Sequence, residues 1–331
     1  MTRDLVIAAS PHLGTRDDTP VIMWSVVYSL IPIVAVASYF FGISALLVIG
    51  VATAGAVGTE RLFGEAATLG DGSAAITGIL LGLTLPAGIP LWMAVLGSAF
   101  GIGFGKLVFG GLGQNVFNPA LLGRAFLQAA FPVAMTTWPA PAESWLTLSG
   151  DNFAFPLMSA ASDVVTGATP LGLMKFESVN TATGNLLFGT TGGSLGETSA
   201  VLILLGGVYL ALRGHLNWRI PASILATVAT MTVVLNLFDS AFPNPEFMLL
   251  SGGLMLGAVY MATDMVTSPV TNKGCWLFGV GIGILVVVIR LWGGLAEGVM
   301  YAILLMNALV PFINRATQPR VFGTSLNGDA A

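Results

Sequence analysis

Ten stretches of this chain are apolar and almost free of charge, most of them long enough to cross a bilayer as a helix. They cover residues 21–41, 43–59, 72–85, 89–109, 116–131, 198–212, 220–238, 247–265, 276–292 and 295–313. A crossing helix needs about 20 such residues. Only 8% of the 331 residues are charged and 55% are apolar, where a soluble domain carries about a quarter charged. Helices apolar on every side have no face to give to water. Lipid is therefore the expected solvent. In lipid the backbone polar groups of a crossing segment must be satisfied within it. The expectation is an all-α polytopic membrane protein with about ten transmembrane helices.

The remaining composition narrows the chemistry. The single cysteine, Cys275, excludes an intrachain disulfide. It also excludes an iron–sulfur cluster held by this chain alone, which usually needs four thiolates. With two histidines and no HExxH pair, a protein-held zinc or haem is not expected. His12 and His215 lie in polar stretches at helix ends and read as surface residues. The run GFGKLVFGGLG lacks the GxxxxGK[ST] order of a phosphate loop and lies in an apolar span. The first 20 residues carry too short an apolar run for a signal peptide and read as a cytoplasmic segment.

Lys and Arg set the orientation. With Arg3 and Arg16 inside, Arg61, Arg213, Arg219, Lys273, Arg315 and Arg320 all fall at cytoplasmic ends. The opposite side then receives residues 132–197, a stretch rich in Gly, Pro, Ser and Thr. A connection of this length inside a compact fold is usually functional or disordered. Its Trp138, Trp145, Phe153 and Phe155 argue against full disorder. They read equally as covers for a ligand or as interfacial anchors. The segment divides the chain into residues 21–131 and 198–313, with a cytoplasmic tail at 314–331. The two parts align: FGGLGQNVFNPALLGRA (109–125) falls on WGGLAEGVMYAILLMNA (292–308), and the same offset carries Thr84-Leu85-Pro86 onto Thr267-Ser268-Pro269. Each part has five spans. An odd number means that the second inserts upside down, giving two inverted five-helix repeats. Such repeats, with short Pro-interrupted segments at matching positions, commonly place a site near the bilayer midplane.

Within the long segment lies SDVVTGATPLG (162–172). As turn chemistry alone it is a loop. A threonine hydroxyl between small neighbours is also open to esterification. The spacing Asp163-x-x-Thr166-Gly167-Ala168-Thr169 matches the signal at which a flavin transferase attaches FMN through its phosphate to the last threonine. With SPHLGTRDDTPVIMWSVVYSLIP, DGSAAITGILLGLTLP, GGLGQNVFNPALLGRAFLQAAFP and YMATDMVTSPVTNKG, the chain from Ser10 to about Gly323 resembles the D-type membrane subunit of Rnf-type ion-translocating ferredoxin:NAD oxidoreductases. The sister family is the B-type subunit of the sodium-pumping NADH:quinone reductases. The resemblance implies FMN esterified to Thr169 and a non-covalent riboflavin in the membrane body. It also implies Na+ or H+ as the moved ion, a bacterial or archaeal cytoplasmic membrane, and partners that include a second FMN-bearing subunit and iron–sulfur subunits. The chain has no GxGxxG unit and no cluster-binding cysteines, so ferredoxin and NAD belong to those partners. No nucleic-acid role is expected.

Polar residues at membrane depth are costly and mark pathways or partners. Asn118 and Arg124 are assigned to a flavin pocket, Arg124 facing electronegative ring atoms or a helix terminus. Asp264 and Thr267 are assigned to an ion path, with capping of a broken helix as the alternative for Asp264. Lys106, Arg290 and Glu297 read as helix-end residues whose charge snorkels outward. A reading of another class is a urea- or ammonium-type solute channel, which predicts a continuous pore and no chromophore.

Overall fold

A computed structural model describes residues 17–64, 70–141, 144–156, 167–177, 179, 181–189, 191–197, 199–239 and 242–319. These residues contain helices and turns and no strand. Five helices are long and apolar enough to cross a membrane. They are α1 (Thr19–Phe41), α2 (Ile43–Phe63), α10 (Arg219–Phe238), α13 (Asn272–Trp292) and α14 (Val299–Thr317). The other expected spans are shorter or broken. α3 (Ser73–Leu83) stops where Thr84 caps it and Pro86 follows. α4 (Leu91–Ile102) runs on through a π-turn, Gly103–Leu107. α9 is Ala200–Leu212.

Two expected spans change shape. The stretch at 116–131 is helical only as α5 (Pro119–Ala130), because Asn118 caps it. Asn118 Oδ1 accepts from the Ala120 and Leu121 N–H groups at 3.0 and 3.3 Å, and Pro119 stands at the first helical position, where its missing N–H costs nothing. The stretch at 247–265 breaks into α11 (Pro245–Leu250) and α12 (Leu254–Leu256), the latter continued by a π-turn, Gly257–Met261. The break is Ser251-Gly252-Gly253. Gly252 has φ +65°, a left-handed conformation that glycine adopts without strain. A Cβ there would meet the Leu171 side chain at 2.5 Å.

Small residues set the packing. A Cβ on Gly101 would lie 2.5 Å from the Pro119 carbonyl oxygen, so α4 and α5 meet almost backbone to backbone, as membrane helices do when glycine permits. α2 packs along α4, and α10 packs along α13. The connection at 132–197 carries α6 (Pro132–Thr136), α7 (Pro170–Gly172) with a π-turn at Leu173–Glu177, and α8 (Thr183–Phe188). It docks on the bundle: Asn152 Nδ2 donates to the Ala87 and Ile89 carbonyls at 2.9 Å each, and Leu195 N donates to the Leu85 carbonyl at 3.2 Å.

Two of the charges expected to snorkel, Lys106 and Arg290, are buried instead, and Glu297 is partly buried. Lys106 is 2% exposed and Glu60 is fully buried. Lys106 Nζ donates to Glu60 Oε1 at 2.5 Å and to Ser73 Oγ at 2.6 Å, and Ser73 Oγ donates to Asp71 Oδ1 at 2.6 Å. Arg290 is 1% exposed. Its guanidinium donates to the Met248 and Ser251 carbonyls at 2.6 and 2.9 Å. It thereby caps the C-terminus of α11, where a cation complements the helix dipole. His215 is also buried. In each case an internal partner or close packing replaces the water that snorkelling would have reached.

Candidate flavin pockets at two ends of the bundle

Thr169 is the N-cap of the short helical run 170–177. Its Oγ1 accepts from Gly172 N at 3.1 Å, and Pro170 occupies the first helical position. Two motif neighbours are also described: Gly167 N donates to the Trp138 carbonyl at 2.8 Å, and Ala168 is exposed. Asp163 and Thr166 lie outside the described residues. Trp138 and Thr169 both line a cavity of about 100 Å³ that is open at its mouth. Arg124, Gln128, Leu171, Glu197, Gly252, Glu297 and Tyr301 line it too. The hydroxyl singled out by the sequence therefore stands at a pocket, not on an open loop.

The pocket joins the two parts of the chain. Arg124 Nη2 of α5 pairs with Glu297 Oε2 of the α13–α14 connection at 2.7 Å. Glu297 Oε1 accepts from Gly253 N at 2.5 Å, at the start of α12, where a carboxylate suits a helix N-terminus. The broken helix is thus held by a cation at the end of its first piece (Arg290) and an anion at the start of its second (Glu297). Arg124 Nε is buried with no hydrogen-bond partner among the described residues, an unsatisfied donor beside the cavity that the residue lines. Burial raises the Glu297 carboxyl pKa, but Arg124 and the Gly253 N–H outweigh it and hold the group below its ordinary value. Glu197 behaves oppositely: burial and the neighbouring Glu297 push it up to about 8. This follows the general rule that one of two carboxyls sharing a poorly solvated site keeps its proton.

A second cavity, of about 90 Å³, opens near the start of α1 and the end of α9. Ile22, Met23, Thr77, Lys106, Asn115, Asn118, His215, Tyr260 and Asp264 line it. Glu197 and Leu210 stand 13 positions apart beside and along α9, and they line different cavities. From its start at Ala200, α9 rises about 15 Å to Leu210 at the second cavity.

The structure divides the expected site residues differently from the sequence. Asn118 and Arg124 do not share a pocket. Asn118 also has structural work: besides capping α5, its Nδ2 donates to the Met261 carbonyl at 3.1 Å, leaving one N–H for a ligand. Asp264 and Thr267 do meet, with Thr267 Oγ1 donating to Asp264 Oδ2 at 3.1 Å and Val266 N donating to Oδ1 at 3.3 Å. This is the capping alternative for Asp264, at the wall of the Asn118 cavity. Trp145, Phe153 and Phe155 are exposed and do not line the Thr169 cavity. Glu197, Gln128 and Tyr301 carry no signal in the sequence. Glu197 sits in a polar stretch, and its facing partners come from α5 and α13, far away in the chain.

Comparison with known proteins agrees with a membrane protein of this kind. The model of the NQR2, RnfD, RnfE family matches residues 6–323. The D subunit of the proton-translocating ferredoxin:NAD(+) oxidoreductase complex of Clostridium ljungdahlii is 43% identical over 96% of each chain. The D subunit of the Na(+)-translocating ferredoxin:NAD(+) oxidoreductase complex of Acetobacterium woodii is 40% identical over 97% of this chain and 96% of its own. The D subunit of an ion-translocating oxidoreductase complex of Stutzerimonas stutzeri is 42% identical over 95% and 94%. With a family match over nearly its whole length and relatives at this level of identity, the chain belongs to the NQR2, RnfD, RnfE family.

Proposed function

We propose that this chain is the flavin-carrying membrane subunit of a redox-driven ion pump. FMN is esterified to Thr169 through its phosphate, and its ring lies in the cavity beside Thr169. The observation that carries the reading is the position of Thr169 on a cavity with an unpartnered, buried Arg124 Nε. The residues present suit the group. Arg124 and Gln128 offer donors to ring carbonyls, and Trp138 and Tyr301 offer flat apolar surface. The helical run at 170–177, capped by Thr169, would favour a negative group on that threonine. The bound flavin supplies one- and two-electron chemistry that no side chain here provides.

A non-covalent riboflavin in the second cavity fits the same scheme, with Asn118 and Asp264 as polar contacts. Electrons pass between ferredoxin and NAD through partner subunits, since the chain holds no cluster ligands. A flavin transferase and a second FMN-bearing subunit are among those partners. The termini face the cytoplasm, residues 132–197 lie outside, and the halves are inverted about the Arg124–Glu297 junction. Ion movement, of Na+ or H+, is coupled to flavin redox change by shifts of the halves, with Asp264 and Thr267 on the ion side. The names of the relatives support the complex and the ion; the family description equally accommodates a component of an NADH:quinone reductase.

The test is fluorescence of the chain after denaturing electrophoresis. A flavin band is expected that survives SDS and vanishes in Thr169→Ala, with the FMN mass on the peptide containing Thr169. A colourless wild-type chain would sink the reading and favour a flavin-free channel. In vesicles, ion pumping that persists in Thr169→Ala after electron transfer stops would refute the coupling.

A further inference from the structure

The cavity beside Thr169 contains two acids with different partners. Glu297 is committed: it pairs with Arg124 and accepts from Gly253 N. Glu197 forms no ion pair among the described residues. Its Oε1 accepts from Ser194 Oγ at 2.7 Å, and its side chain lines the cavity. Arg290, the nearest spare cation, is engaged with two carbonyls at the end of α11. The packing elements add no further charge. α3 and α12 contain no titratable side chain, and Tyr28 and Tyr39 of α1 are exposed. Tyr301 of α14 lines the same cavity. The groups that act on Glu197 are therefore Glu297, Arg124 and Arg290, with Ser194 as its hydrogen-bond donor.

Two carboxylates in one poorly solvated pocket cannot both be charged cheaply. Glu297 has the arginine and the backbone donor, so Glu197 is the one that keeps a proton. Resting on the assignment of the flavin to Thr169, we infer that Glu197 is a proton-exchanging residue for that flavin, giving its proton to the ring on reduction and recovering it on oxidation. The balance is simple. A one-electron carrier of the complex delivers an electron to the ring. The O–H bond of the Glu197 carboxyl breaks, an N–H bond forms at a ring nitrogen, and Glu197 is left as a carboxylate. The negative charge brought by the electron ends on Glu197, in the field of Arg124 and Arg290, while the ring stays neutral. Oxidation reverses each change.

Infrared difference spectra of the full chain in detergent, reduced against oxidised, test this. Loss of a protonated-carboxyl stretch on reduction is expected, absent in Glu197→Gln, whose side-chain oxygen still accepts from Ser194. Because the proton moves within the site, the midpoint potential of the flavin should be nearly independent of pH in the wild type wherever Glu197 is protonated in the oxidised state, and should fall in Glu197→Gln, which has no proton to give. Ser194→Ala removes a hydrogen bond that favours the charged form, so the carboxyl should titrate at higher pH in it. An unchanged carboxyl signal in Glu197→Gln, or reduction without any carboxyl signal, overturns the inference while leaving Thr169 as the carrier. In flavin-free Thr169→Ala protein, a carboxyl titrating above neutral pH should persist and vanish when Glu197→Gln is added; its absence also overturns the inference. A wild-type chain with no SDS-stable flavin overturns both.

Discussion

Removing Arg124 is the perturbation whose cost the structure specifies most closely. Its Nη2 sits 2.7 Å from Glu297 Oε2. At an effective dielectric constant of 20, two unit charges at that distance attract by about 6 kcal/mol. Most of this is offset by the desolvation both groups suffer. Truncating one partner still leaves a charge in a poorly solvated place, and such truncations cost about 3–5 kcal/mol. The cavity wets the pair slightly, with side-chain exposures of 10 and 19%, so the lower end applies. Arg124→Met should therefore destabilise the chain by about 3 kcal/mol. Glu297→Met should cost about as much, because it strands both Arg124 and Gly253 N. Arg124→Met with Glu297→Met should cost clearly less than the sum, with a coupling of about 2 kcal/mol. The assay is the unfolding midpoint of the purified chain in detergent for the four proteins of the cycle, with covalent flavin content measured alongside. Strictly additive single effects would refute the claim that this pair joins the two parts of the fold.

Three other outcomes rest on contacts already described. Gly252→Ala places a side chain at φ +65° and against Leu171; a loss of about 2 kcal/mol is expected, read as a lowered unfolding midpoint, and Leu171→Ala should recover part of it. Lys106→Met leaves Glu60 charged and buried, costing about 3–5 kcal/mol. Adding Glu60→Gln should restore most of the midpoint. For pH, Glu197 is pushed up to about 8 by burial and by Glu297. Between the ordinary carboxyl value and about 8 the folded state binds the extra proton, so this group's contribution to stability is full at low pH and falls as pH rises through that window. Glu197→Gln should remove that component of the slope, measured as the unfolding midpoint against pH.

Apolar length and the Pro and Gly punctuation make the helical membrane character legible, because those signals are local. Asn118-Pro119 shows both the power and the limit of such reading. The pair is a helix start by residue type, yet the apolar residues on either side give it the look of a span interior. The stretch at 247–265 hides its break because Gly252 and Gly253 also suit a continuous membrane helix. Only the positions of Arg290 and Glu297, more than 35 residues onward, show that the chain turns there. Thr169 is legible through a seven-residue spacing. Glu197 is not, since its raised pKa depends on burial first and on Glu297 second, and both arise only through the fold. Lys106 and Arg290 mislead for one reason: a charge at a helix end has water available by default, and sequence cannot show that a partner has taken its place.

The buried Lys106–Glu60 contact also constrains how the protein is made. Both charges lie near helix ends, Glu60 in the last turn of α2 and Lys106 in the π-turn that closes α4, and the two residues lie 46 positions apart. At about 5–20 residues per second, Glu60 emerges several seconds before its cation exists. The carboxylate of α2 therefore gains its buried partners only after α3 and α4 have been made. The Glu60–Lys106–Ser73 contact thus closes only then and ties three successive helices, α2, α3 and α4, into one unit.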